Sequence, residues 1–291
     1  MFRLLALSWL PQLVLTAPPP NELANCSVPP FNSYPYCDST LDTDARIADL
    51  VARITPTEFA SLLSNGENGI SRLGVPKLTY GEALHGALTK CGEPYLNNTG
   101  CATSFPHPLA LASALNRTLW RAIASVVSTE SRALHNQGGL QASFVWAPNA
   151  NLMRDPRWGR GMETPGEDPF VVSEYTSQFI ASLQAGVEDS RYMKLPVAVK
   201  HAFGYDMENS DGMSRSWFSA AISDRDAVDY YYRPFKAAIQ KGQAQGMMCR
   251  YAASSIAVLI DNSGKTRQCP TLPVQLQCGE LYTIVCERLF P

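Results

Sequence analysis

Three short apolar runs, starting at Phe144, Leu195 and Gly246, return about 50 residues apart, and segments of helical periodicity join them. Before the first run, Asn116 to His135 reads as a helix capped by Asn116, with Leu119, Ile123, Val126, Val127 and Leu134 as its apolar stripe. After it, Asp168-Pro169 opens a helix carrying Val172, Tyr175, Phe179 and Leu183, which Gly186 stops. A third helix, capped by Asp224, carries Val228, Tyr231, Phe235, Ala238 and Ile239 and ends at Gly242. Strands that are apolar throughout, rather than alternating, are buried on both faces, and a crossover long enough to hold a helix joins parallel strands. The pattern predicts an α/β fold with a parallel sheet, and the regular return favours a barrel over an open sheet. No internal repeat points to a solenoid.

The polar residues gather where each apolar run stops. The first runs into Asn149, Asn151, Arg154 and Asp155, the second into Lys200 and His201, the third into Arg250 and Tyr251. Functional side chains in parallel α/β folds collect at the C-terminal strand ends. Three such ends in register predict one polar pocket. Vicinal hydroxyls need donors and acceptors in fixed positions, which Arg, Lys, His, Asn and Glu supply. Trp146 and Trp158 offer apolar faces for a pyranose ring, with core packing the preferred reading for Trp146.

A net charge of −2 over 291 residues argues against a general nucleic-acid binder, because phosphate binding needs clustered Lys and Arg. At the N-terminus, Arg3 followed by the apolar stretch Leu4 to Leu15 and by Thr16-Ala17 reads as a signal peptide over residues 1–17. That stretch is shorter than the ~20 residues a membrane span needs, so secretion without a membrane anchor is expected. A Pro-rich arm over 18–41 is expected to be extended, and helical spacing returns at Asp42 to Ile54 and from Thr55-Pro56 to Leu63. Sequons at Asn25, Asn97 and Asn116 fit an oxidising, glycosylating route. Of the eight cysteines, Cys26 with Cys37 and Cys91 with Cys101 bracket short loops and are read as local disulfides, with unpaired buried thiols as the alternative. No C-x-x-C occurs and the four histidines lack metal-site spacing, so neither metal nor cofactor is expected.

The segment from Asn151 through Arg154-Asp-Pro-Arg-Trp-Gly-Arg160 to Glu167-Asp168 resembles the signature of glycoside hydrolase family 3, and Val199-Lys200-His201 to Glu208 resembles its Lys-His motif. Gly81-Glu-Ala-Leu-His-Gly86, Ala102-Thr-Ser-Phe-Pro106 and Asp211-Gly-Met-Ser-Arg215 are similar to the β-xylosidase branch, as is the stretch from Asp229 to Cys249. The resemblance runs from about Leu23 to Tyr251. It implies a TIM-type (β/α)8 barrel, of which 42–251 would be an incomplete copy. It also implies a substrate-binding set of Glu82, Arg160, Lys200, His201, Arg215 and Tyr251, with a xylo-oligosaccharide as partner and Glu82 disfavouring a hydroxymethyl group. Arg154 is read as a structural partner of Asp155 or Glu163, with a pocket role as the alternative. Glu163, Glu167 and Asp168 are expected to brace the loop and cap the helix, and His85 and His107 to be structural.

The family's retaining mechanism needs two carboxyl groups ~5 Å apart. The resemblance stops at Arg250, where the family has Ser, so neither the nucleophilic Asp nor the acid/base Glu is expected here. Asp206 and Glu208 are not expected to substitute, and residues 252–291 resemble nothing in the family. Two readings follow. One is a secreted β-xylosidase-type hydrolase, truncated before its nucleophile and inactive alone. The alternative is a non-catalytic sugar-binding protein derived from such an enzyme.

Overall fold

The computed structural model describes residues 26–62, 69–76, 80–88, 101–136, 144–186, 192–215 and 221–249, together with three short strands near the C-terminus. The signal segment, Asn25, Cys91, Asn97 and Tyr251 lie outside the described residues.

The main sheet has five strands, in the order β1 (Tyr80–Glu82), β2 (Phe144–Asn149), β3 (Val197–Ala202), β6 (Gly246–Cys249) and β9 (Thr283–Val285). The first four are parallel and lie side by side in chain order. This is the winding of a barrel; a doubly wound sheet would reverse its strand order. The α/β class and the parallel sheet agree with the sequence reading. β9 is antiparallel to β6. Two small antiparallel pairs lie apart: β4 (Asn209–Ser210) with β5 (Met213–Ser214), and β7 (Val258–Ile260) with β8 (Thr266–Gln268).

Side-chain alternation gives the strands two apolar faces. Val145, Ala147, Val197 and Val199 pack with the helices in the main core, whereas Trp146, Ala198 and Met248 form a second cluster with Tyr80 and Phe144 on the other face. The helical layer is built from α4 (Arg117–Asn136), α5 (Pro169–Gln184) and α7 (Tyr232–Gln240), with α5 packed against both its neighbours. Asp168 caps α5 by accepting from the Val171 N–H at 2.7 Å, and Asn116 accepts from Leu119 N–H at 3.1 Å.

Several local expectations are corrected. On α4, Leu119 and Val126 are exposed. The buried face runs through Trp120, Ile123, Ala124, Val127, Ser128, Ser131 and Leu134, so small residues hold positions that a search for large apolar side chains passes over. Ser223, not Asp224, caps the third helix, its hydroxyl accepting from Asp226 N–H at 3.1 Å. That helix starts as α6 (Asp224–Asp226), passes through a π turn at Ala227–Tyr231 and continues as α7. The π turn adds a residue to the repeat. Val228 is therefore 50 % exposed, while Ala227 is 1 % exposed.

The described part of the Pro-rich arm is not extended. It forms two 3₁₀ turns, Phe31–Ser33 and Pro35–Cys37, because the Cys26–Cys37 disulfide brings its Cα atoms to 5.2 Å across 11 positions. An extended chain would span ~3.3 Å per residue. Tyr36 is buried and its hydroxyl donates to the Leu73 carbonyl. Beyond it lie α1 (Thr43–Arg53), none of whose residues is buried, and α2 (Pro56–Leu62). The apolar positions Ile47 and Val51 of α1 are exposed. Another small helix, α3 (Pro108–Ala112), precedes α4.

Candidate functional site

Glu82 ends β1 and Lys200 lies near the end of β3, with β2 between them. Lys200 shares its strand face with Ala198, two residues before, so its side chain leaves on the face opposite the main core. It reaches across β2 to form an ion pair with Glu82. The ammonium is almost fully buried, whereas the Glu82 side chain is 40 % exposed. Burial pushes the Lys200 ammonium below its ordinary pKa, and the Glu82 carboxylate opposes that shift.

A second pair sits beside the first. Arg160, in the loop after β2, donates from Nε to Glu163 at 2.8 Å and from a terminal nitrogen to its other oxygen at 2.6 Å. This bidentate geometry fixes the guanidinium plane. Burial disfavours the Arg160 charge, but the Glu163 carboxylate outweighs it and the net shift is upward. Glu82, Lys200, Arg160 and Glu163 together line a cavity of ≈ 480 Å³.

The remaining wall comes from residues Leu84–Leu88 and 101–104. These two segments approach closely at Gly86, where a Cβ would lie 2.6 Å from the Thr103 carbonyl oxygen. Phe105 N–H donates to the His85 carbonyl at 2.8 Å, and His85 Nδ1 lies 2.9 Å from the Phe105 carbonyl. His85 and His107 also pack ring to ring, with centroids 4.4 Å apart, and His85 at the same time lines the cavity. Glu130 of α4 accepts from Thr103 at both its N–H (2.8 Å) and its hydroxyl (2.6 Å).

A third pair lies next to the second. Arg215 binds Glu208 at 2.9 Å. Tyr205, a residue the sequence reading passed over, joins this pair to the second. Its hydroxyl accepts from Arg160 and from Arg215, each at 3.2 Å, and donates to Glu208. Burial and the Glu208 carboxylate push the Tyr205 hydroxyl up to about 12. Glu208 also accepts from the Trp158 indole at 3.2 Å. Glu208 is thus held in a binding network, in line with its exclusion as a catalytic substitute.

His201 is fully buried and does not line the cavity. Its imidazole is held well below the ordinary histidine pKa by burial, then by the charges of Lys200, Arg160 and Arg215. Asn151 grips it from below. Asn151 Oδ1 accepts from the His201 N–H at 2.9 Å, and its amide nitrogen donates to the His201 carbonyl at 2.8 Å. The sequence reading placed Asn151 at a polar strand end and gave it no partner.

The readings of Arg154 and Trp158 are revised, while the core reading of Trp146 and the Cys26–Cys37 disulfide are borne out. Arg154 pairs with neither Asp155 nor Glu163, which are taken by Arg157 and Arg160. It donates instead to the Tyr231 hydroxyl at 2.5 Å and lies 5.0 Å from the Tyr230 ring centre. Both candidate sugar platforms are buried: Trp146 stacks on Tyr80 at 4.8 Å, and Trp158 packs edge-on against Tyr205. Of the candidate disulfides, Cys26–Cys37 is formed. Cys101 is also disulfide-bonded, and its expected partner Cys91 lies outside the described residues. Asn116 is exposed.

The described site therefore balances three cations, Lys200, Arg160 and Arg215, against three carboxylates, Glu82, Glu163 and Glu208. A site of opposite charges in fixed pairs is rich in donors and acceptors yet has no net charge to attract an ion. Such a lining suits a neutral polyhydroxylated ligand better than a phosphate or carboxylate.

Comparison with known proteins agrees with this chemistry. The profile of the Glycosyl hydrolase family 3 N terminal domain matches residues 62–256. A Beta-xylosidase/alpha-L-arabinofuranosidase 2 from Medicago sativa subsp. varia is 41% identical over 226 residues, covering 77% of this chain and 29% of that protein. A Probable exo-1,4-beta-xylosidase from Aspergillus terreus is 40% identical over 230 residues, covering 78% of this chain and 30% of that protein. Among solved structures, a family 3 exo-beta-xylosidase in complex with a xylobiose aziridine activity-based probe superposes with a TM-score of 0.71 at 38% identity, over 79% of this chain and 30% of that one. The chain thus spans less than a third of the length of each of these relatives. The chain belongs to glycosyl hydrolase family 3, and its matched residues are those of the family's N-terminal domain.

Proposed function

We propose that this chain is the sugar-binding portion of a secreted, exo-acting β-xylosidase, and that by itself it binds a terminal β-xylosyl unit without cleaving it. The observation that carries this is the convergence of the Lys200–Glu82 and Arg160–Glu163 pairs on one cavity of ≈ 480 Å³ at the strand ends. Lys200 and Arg160 donate to sugar hydroxyls, and the exposed side of Glu82 accepts from them. The names of the relatives, one a beta-xylosidase/alpha-L-arabinofuranosidase and one an exo-1,4-beta-xylosidase, have xylose in common and support it as the sugar.

Hydrolysis with retention needs a carboxylate nucleophile and a carboxylic acid ~5 Å apart. Glu82, Glu163 and Glu208 are each committed to a cation in the described site, so none is placed as a free attacking group. In this reading the reacting carboxyls come from outside the described residues. Secretion is part of the same reading, supported by the disulfide at Cys26–Cys37 and by the exposed sequon at Asn116.

The test is titration calorimetry of the purified chain with xylose and xylobiose, beside an aryl xyloside hydrolysis assay. Binding with no turnover is expected, and Lys200→Met is expected to weaken binding at least about tenfold by removing a charged donor. Turnover by this chain would overturn the division of labour, and no heat with either sugar would overturn the binding assignment. Secretion is checked by mass spectrometry of the Asn116 peptide from a eukaryotic host, where a glycan is expected.

A further inference from the structure

Arg154 takes no part in the three ion pairs of the first site and is held in a different corner. Its guanidinium donates to the Tyr231 hydroxyl at 2.5 Å and stands 5.0 Å and 5.4 Å from the ring centres of Tyr230 and Tyr231. The two rings meet edge to face, 5.3 Å apart at 89°. Tyr230 is fixed further by donating to the Glu167 carbonyl at 2.8 Å. Both tyrosines belong to the π turn Ala227–Tyr231, an irregularity that helices carry mostly at functional sites.

These three side chains line a second cavity, of ≈ 500 Å³, together with Ala221, Ile222 and Asp226. No described residue lines both this cavity and the one around Lys200. Arg154 and Asp226 are exposed, and the two tyrosines are half-buried. Among the described residues no carboxylate accepts from Arg154, and of its several N–H donors the Tyr231 hydroxyl takes one. Asp226 accepts from the Ser223 hydroxyl at 2.8 Å through one of its two oxygens. The corner thus combines aromatic and apolar surface with one cation and one carboxylate.

The surrounding charge narrows the choice of ligand. Burial pushes both tyrosine hydroxyls above their ordinary range; Arg154 opposes this, and the carboxylates of Asp206, Glu167, Asp168 and Asp226 add to it. Apart from Arg154, the groups acting on this corner are therefore acidic, and an anion would be repelled. A neutral pyranose fits: its C–H faces pack on aromatic rings, while its hydroxyls both donate and accept.

We propose that this corner is a second carbohydrate site, which packs a neutral pyranose unit of a xylan-type chain against Tyr230, Tyr231 and Ile222, with Arg154 donating to its hydroxyls and Asp226 accepting from them. A protein with two such sites keeps hold of a polymer when one of them lets go. The choice of xylose rests on the proposed function; a second site for a neutral sugar does not.

Titration of the full chain with xylotetraose, followed through ¹³C-labelled tyrosine rings, tests this. The signals are assigned by their loss in Tyr205→Phe, Tyr230→Phe and Tyr231→Phe. Tyr205 reports the first site through its bond to Arg160, and Tyr230 and Tyr231 report the second. Both sets are expected to shift, and Arg154→Met is expected to weaken the response of Tyr230 and Tyr231 about tenfold by removing a charged donor. Silence at Tyr230 and Tyr231, or an undiminished response in Arg154→Met, would overturn the second site. A response to glucuronate with none to xylotetraose would overturn its neutral ligand. If Arg154→Met does not fold, Arg154→Lys takes its place, since it keeps the charge and loses the planar fork. A shift of Tyr205 alone sinks the second site and keeps the proposed function, whereas a shift of Tyr230 and Tyr231 alone does the reverse.

Discussion

The Lys200–Glu82 pair is asymmetric, and the two halves should respond differently to mutation. Removing Glu82 leaves an almost fully buried ammonium without its partner, whereas removing Lys200 leaves a carboxylate that water still reaches. We expect Glu82→Gln to destabilise the fold by about 1–3 kcal/mol at neutral pH, less than for a fully buried pair because Glu82 is partly solvated. The Lys200 pKa already lies below its ordinary value. A cation shifted in that direction binds fewer protons folded than unfolded, so its cost is full at low pH and shrinks as pH rises toward ~10.4. Urea midpoints for Glu82→Gln should therefore recover on going from pH 7 to pH 10, relative to the parent; a deficit independent of pH would refute the charge argument. Both residues were legible as site candidates from their motifs. Their pairing was not, since they are 118 positions apart and meet only through the strand order. Tyr205 was missed for a related reason: a phenol inside a motif gives no sign of which two guanidiniums it will join.

Among the elements, those with regular periodicity were read correctly and those with an irregularity were misread in a definite way. The Asp168 cap and the α5 stripe follow the 3.6-residue repeat and appear as expected. The third helix departs from it, because the π turn at Ala227–Tyr231 rotates everything before it relative to α7. Val228→Lys tests that register. It should change the melting temperature by no more than an ordinary surface substitution, within about 0.5 kcal/mol, although a regular helix would bury the residue and make the change severe. Ser223→Ala should cost about 1 kcal/mol by removing the cap. The Pro-rich arm was misread because composition describes a free chain, and a covalent closure overrides it. Replacing both Cys26 and Cys37 by Ser should lower unfolding stability by about 2–3 kcal/mol in urea titrations, the size expected for a loop this short.

At the scale of the molecule, the sequence carried the α/β class and the parallel sheet, since these follow from spacing and apolar runs. What it could not carry was the geometry between distant loops. The cavity wall at residues 101–104 is one such case. It is fastened to α4 through Glu130, which belongs to the outer helical layer and is not among the residues lining the cavity. In the proposed function a sugar in this cavity lies against that wall, which ties the lifetime of the complex to a carboxylate on the outer layer. Glu130→Gln should leave the shape of the pocket intact yet quicken sugar release in stopped-flow displacement. The clock of the site would then be set at the rim of the protein and read out at its centre.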